Sequence, residues 1–146
     1  MCPKVDRRGP PPPSDPDAGI WQGRSVARST ISPDGLVVLV GLTARNNDVL
    51  TFNLASQQDF WLHVAGESGS HVVVRNPDGA DRMPRDTQRF AAGLAAGYSK
   101  ARRGGRVAVH VARVRDVSKP RGLPPGKVTL ARFTTVQVTP RRLDDD

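Results

Sequence analysis

The sequence predicts an α+β fold: a single domain with a mostly antiparallel, twisted sheet, one long helix and one short helix. Three observations predict it. Strand-length segments of alternating apolar and polar residues recur from "ARSTIS" to "TTVQV". Only Pro84 to Arg103 carries helical periodicity over several turns. Turn residues join neighbouring strand segments closely enough for hairpins. A chain of 146 residues, 37% apolar, suits one domain with one modest core.

Residues 1–22 contain "GPPPPSDPDAG". A proline run cannot join a sheet, and little else there can be buried, so this reads as a disordered or polyproline-II arm. It is either an inert tail or a ligand for a protein partner with an aromatic-lined groove. The domain spans 23–142, and 143–146 is a short acidic tail. "ARSTIS" and "LVVLVG" are strands joined by a Pro-Asp-Gly turn. Asn47 is placed to cap a short helix with Val49, Leu50 and Leu54 on one side, where Phe52 fits less well. "DFWLHVA" and "SHVVVRN" are strands around "GESG". Phe60, Leu62 and Val64 point to one face, the core. Paired as a hairpin, the two strands carry Trp61, His63, His71 and Arg75 together on the other.

In the long helix, Pro84 suits the first turn, Asp86 suits the dipole and Gly104-Gly105 ends it. At ~100° per residue, Phe90, Leu94, Tyr98 and Ala101 share an arc of about 80°, the core face. Arg85, Arg89, Lys100 and Arg103 gather on the far side without an acid. Gly93 and Ala96 between them leave room for a phosphate backbone, while Arg102 lies beside the apolar face. "RVAVHVARVRDV" is a strand whose alternation is clean only at its start. "SKPRGLPPGKV" is a rigid basic loop with Lys119, Arg121 and Lys127, and "VTLARFTTVQVTP" is a strand or a bent strand pair.

The net charge is +8, unevenly placed. Arg24 to Asp81 holds four Lys/Arg against six acids, a net of −2; Arg82 to Arg142 holds fifteen against two, a net of +13. An arginine-rich proteome would raise both halves alike, so the asymmetry points to a polyanionic partner, above all nucleic acid. The single cysteine, Cys2, leaves no internal disulfide or cysteine-based zinc site. That suits a reducing cytoplasm, and no apolar run has the length of a membrane span or a signal peptide.

Catalytic constellations are weak. Ser70 and His71 are adjacent on an extended stretch and point to opposite faces. Asp59 and His63 stand ~13 Å apart along one strand. His63 and His71 as a cross-strand metal pair lack a third ligand, since His110 lies on another strand. No nucleophile elbow, phosphate loop or dinucleotide fingerprint occurs. The expectation is a protein that is not an enzyme and needs no metal or cofactor.

Nucleic-acid binding has the basic helix face, the basic loop and the ring-bearing strand face behind it. Trp61 has two readings, a base-stacking ring or a core residue, and His63 could equally be structural. RNA is the first partner expected. DNA is the second, because phosphate contacts distinguish the two poorly. An adaptor working through the proline arm is the third.

Five strings in order, "NDVLTFNLA", "DFWLHV", "GSHVVVR", "YSKAR" and "KPRGLPPGKV", resemble the NFACT-R domain, the RNA-binding module of NFACT ribosome-quality-control factors. The resemblance runs from about Arg28 to Pro140 and implies an α+β domain that contacts tRNA or the large ribosomal subunit. By position it singles out Asn47, Asp48, Asp59, Trp61, His63, Gly69, Ser70, His71, Arg75, Tyr98, Ser99, Lys100, Arg102, Lys119 and Gly126, several of them as scaffold. Full-length members add a tRNA-selecting domain, a helix-hairpin-helix part and a coiled coil. This sequence would thus act as a stand-alone module, and tail synthesis on stalled chains is not implied. "NPDGADRMPRD" is more charged than the family implies.

Overall fold

A computed structural model describes residues 18–143. The proline run, Cys2 and the Asp144–Asp146 end lie outside the described residues. The elements are β1 (Ile20–Trp21), β2 (Arg24–Ser25), β3 (Ala27–Ile31), β4 (Val37–Gly41), α1 (Ala44–Val49), β5 (Phe60–Val64), β6 (Val72–Val74), α2 (Arg85–Gly97), β7 (Val107–Arg113), β8 (Val117–Ser118), β9 (Thr129–Leu130) and β10 (Thr134–Val138). Six of them form one antiparallel sheet in the order β10-β7-β5-β6-β4-β3. The α+β class, the long helix and the short helix are as the sequence predicts.

Local chemistry explains the hairpins. Ser32 Oγ accepts the Asp34 and Leu36 N–H groups, and Gly35 takes φ +86°, so the β3–β4 turn closes where only glycine is unstrained. The β5–β6 pair sets Trp61 opposite Val73, the hairpin read from the sequence. The last segment is the bent pair, β9 and then β10.

Three features differ from expectation. Ala18 to Gln22, assigned to the arm, belongs to the fold: Ile20–Trp21 pairs with Arg24–Ser25, and Trp21 packs on the core. Thr43, not Asn47, caps α1, its Oγ1 accepting the Asn46 N–H at 3.1 Å. A π-helical turn, Leu50–Leu54, follows; it buries Leu50 and leaves Phe52 exposed. The long helix ends at Gly97, not Arg103. A Cβ on Gly97 would sit 1.7 Å from the Arg141 carbonyl oxygen, and the Arg141 N–H donates to Gly93 O at 3.0 Å. The chain's own C-terminal segment therefore occupies the small-residue groove expected to admit phosphate.

The core lies on both faces of the sheet. Beneath α2, Val38, Val40, Phe60, Leu62, Val64, Val72, Val74 and Val109 meet Ala91, Leu94 and Ala95. On the opposite face, Leu39, Trp61, Val73 and Ala112 are covered by Val26, Leu50, Val114 and Val117. Leu143, assigned to the tail, packs against the α2 cluster. Among the described residues no helix is long and apolar enough to cross a membrane.

Candidate nucleic-acid interface

The face that carries Trp61 and His71 is not an open surface. Trp61 is 1% exposed and His71 fully buried. His71 Nε2 meets the Gly126 carbonyl at 3.0 Å, so that nitrogen carries the hydrogen, and Nδ1 accepts from Thr51 Oγ1 at 2.8 Å. Burial lowers the His71 pKa to about 4, fixing the ring as neutral. Asn47 Oδ1 accepts the His71 N–H, and its Nδ2 donates to Gly69 O. These residues clamp the loop before β6, and neither Trp61 nor His71 presents a ring to a base.

Two expected cations are also spent inside the protein. Arg75 Nε pairs with Asp59 Oδ2 at 2.8 Å. The buried Asp59 carboxylate also accepts the Ser56 and Asn76 N–H groups. Lys119 Nζ lies 3.1 Å from Asp48 Oδ2 and donates to the Pro124 and Lys127 carbonyls, while Asp48 Oδ1 accepts the Gly126 N–H. Asp48 and Lys119 thus staple the basic loop over the sheet. Ser70 Oγ donates to Gly41 O at 2.7 Å and is likewise scaffold.

The remaining cations fall into a band of linked clefts. A ring cleft of about 430 Å³ is lined by His63, His110, Lys100 and Lys127. Through Ser68 and Lys100 it adjoins a cleft of about 390 Å³ with Thr43, Tyr98 and Arg102. Arg102 and Arg142 lead on to a cleft of about 190 Å³ with Arg103 and Arg141. Pro140 and Arg141 then open onto one of about 590 Å³ with Arg89 and Arg106. Among the described residues no carboxylate lines the last three clefts, and Glu67 alone lines the first.

Several of these arginines have neutral groups beside them. Arg141 lies over the Phe90 ring at 4.8 Å, Arg106 Nη2 donates to Gln137 O, and Arg102 Nη1 reaches Ser99 O at 3.5 Å. Tyr98 sits between Arg28 and Arg142, 5.3 and 4.3 Å from its ring centre.

The single basic helix face predicted from the sequence is broken up, because Lys100 and Arg103 follow the end of α2. Lys100 N donates to Ser68 O, and Ser99 bridges Gly69, which turns Lys100 toward the loop before β6. Arg89 stays on the helix in the last cleft. Arg85 and Arg121 are exposed but line none of the four clefts. The sequence reading missed Arg106 and Arg141. The one signal for Arg141 was the pair of glycines four apart on α2, which admits a backbone but does not say whose.

A compact α+β module with a continuous basic band belongs with nucleic-acid-binding domains. The chain belongs to the family described as the NFACT protein RNA binding domain, which it matches over residues 26–132. It is 41% identical over 109 residues to the Rqc2 homolog RqcH of Bacillus subtilis and 39% identical over 112 residues to that of Streptococcus suis, in each case over 75% of this chain. Those stretches are 18% and 20% of the relatives, so the chain spans about a fifth of their length. Among solved structures it resembles the C-terminal part of the fibronectin/fibrinogen-binding protein of Streptococcus suis. The TM-score is 0.74 at 34% identity, over 81% of this chain and 47% of that one.

Proposed function

We propose that this domain binds tRNA or ribosomal RNA in the cytoplasm, as a non-catalytic contact in ribosome-associated quality control. The observation that carries the reading is the band from Lys127 and Lys100 through Arg102, Arg103 and Arg141 to Arg89 and Arg106, three of its four clefts free of carboxylates among the described residues. Such a band attracts a phosphodiester backbone and leaves sequence choice to other contacts. The setting, ribosome-associated quality control, is what the resemblance to NFACT factors implies, and the similarity to the Rqc2 homologs supports it. The candidate nucleophile and bases support a non-catalytic role, since Ser70, His71 and Asp59 are all committed to structural bonds.

The test is binding of tRNA by the full chain and by Lys100→Glu/Arg102→Glu. The double variant should bind about tenfold or more weakly with an unchanged melting temperature, since each change removes an attraction and adds a repulsion. With about four to six phosphates contacted, log K against log salt should slope at roughly −3 to −5 for the wild type, and less steeply for the variant. Unchanged affinity in the variant overturns the band. Tighter binding of duplex DNA than of tRNA overturns the RNA assignment.

A further inference from the structure

The ring cleft differs from the rest of the band because it offers an aromatic surface as well as charge. His63 lies half-buried in it, nearly parallel to Trp61 at 5.7 Å and 18°, and edge-on to His71 at 5.4 Å. Two buried rings thus fix its orientation. The sheet register sets His110 directly opposite His63, and the His110 ring is braced by Phe133 at 4.5 Å and by Thr135. Trp61 also lines the cleft. It is 1% exposed, yet its Nε1–H has no hydrogen-bond partner among the described residues. A buried donor without a protein acceptor is uncommon, and this one lies in the wall behind His63.

We propose that this cleft takes one unstacked nucleotide of single-stranded RNA, its base against His63 and its phosphate between Lys100 and Lys127. The proposal rests on the RNA-binding reading and adds to it the state of the RNA. A duplex keeps its bases paired and stacked and can offer this cleft only phosphates. A splayed base has a free π-face for the His63 ring. A volume of about 430 Å³ is near the lower end of ligand pockets, enough for one nucleotide. Burial lowers the His63 pKa, so at neutral pH the ring meets the base as an uncharged aromatic surface while the two lysines supply the charge.

Anisotropy of a fluorescein-labelled uridine decamer and of an RNA duplex of the same length, each titrated with the full chain, tests this. His63→Ala should weaken binding of the single strand about tenfold and shift duplex binding by less than about twofold. His63→Phe, which keeps a ring, should restore most of the single-strand affinity and guards against a folding defect. Equal loss on both RNAs, no loss on either, or failure of His63→Phe to restore binding overturns the nucleotide pocket. If His63→Ala is silent while Lys100→Glu/Arg102→Glu still abolishes binding, the pocket falls and the RNA-binding reading stands. If neither RNA is bound by the wild type, both fall together.

Discussion

The two faces of the sheet are buried to a similar degree by different means. Under α2 the buried cluster is Val, Leu, Ala and Phe, with Met83 and Tyr98 at its edge, held by shape and apolar area. Across the sheet, Trp61, Leu39 and Val73 share the interior with His71, Asn47 and Thr51, and those three polar side chains are hydrogen-bonded to one another or to the backbone of neighbouring loops. The first face is non-directional and tolerates volume-conserving exchange. The second is a bonded assembly in which losing one partner strands another. The difference matters because the ring cleft and the Lys119 loop stand on the second face, where directional bonds set the positions of side chains.

The largest effect is expected from breaking the α2 face. Leu62 is fully buried at the centre of the sheet. Leu62→Ala should cost about 3–5 kcal/mol in urea unfolding, from lost transfer energy plus the cavity. The RNA affinity of the remaining folded molecules should be unchanged, because no cleft of the band includes Leu62. A loss below about 1 kcal/mol would mean that this face is not the principal source of stability.

The α2 face was legible in the sequence because its evidence is local. Phe60, Leu62 and Val64 alternate, and Phe90, Leu94 and Tyr98 recur at helical spacing. The other face was legible only in part. Period-two alternation put Trp61, His63 and His71 together correctly. It could not show that a second layer covers two of them, since that layer comes from Val26, Leu50 and Val114–Val117, distant in sequence. The helix end was misplaced for a related reason. Tyr98 to Arg103 continues the helical pattern, but the Gly69–Ser99 bridge and the Arg141 backbone against Gly97 terminate it from outside. Lys100 was read on the helix face and lies beyond the helix end, turned toward the loop before β6. The carboxylate partners of Lys119 and Arg75 were not legible, because a cation's charge is visible in a sequence and its partner is not.

Acid should separate the two faces next. The α2 cluster contains no histidine, whereas the other face holds His71 and His63, both with lowered pKa values through burial. His71 takes up its proton at about pH 4 when folded and near 6.5 when unfolded. Its stabilising contribution is therefore complete above pH 6.5 and is lost as pH falls toward 4, by a total of roughly 3 kcal/mol. The groups acting on it are His63, Lys119 and Asp48. His71→Gln keeps those neighbours and removes the titration. Between pH 6.5 and 4 the wild type should lose about 3 kcal/mol more than the variant; parallel losses would show that His71 does not take up a proton in that range.

The smallest effect sharpens the comparison most, because it asks whether a cation on the second face belongs to the scaffold or to the ligand. Lys119 is charged and near the ring cleft, and the sequence offered it as a phosphate contact. In the structure its ammonium is taken up by Asp48 and two carbonyls. Lys119→Met keeps the stem and removes the head. The pair is partly exposed and screened, so the loss should be only ~1 kcal/mol of stability. A small drop in tRNA affinity, under about threefold, should follow from loosening of the loop that carries Lys127. Lys127→Met, which removes an exposed cation lining the cleft, should show the reverse: an unchanged melting temperature and a lower slope of log K against log salt, by about one unit. If Lys119→Met instead lowers the salt slope by that amount and leaves stability untouched, the ammonium leaves Asp48 for phosphate in the complex, and the loop is a ligand-driven clamp.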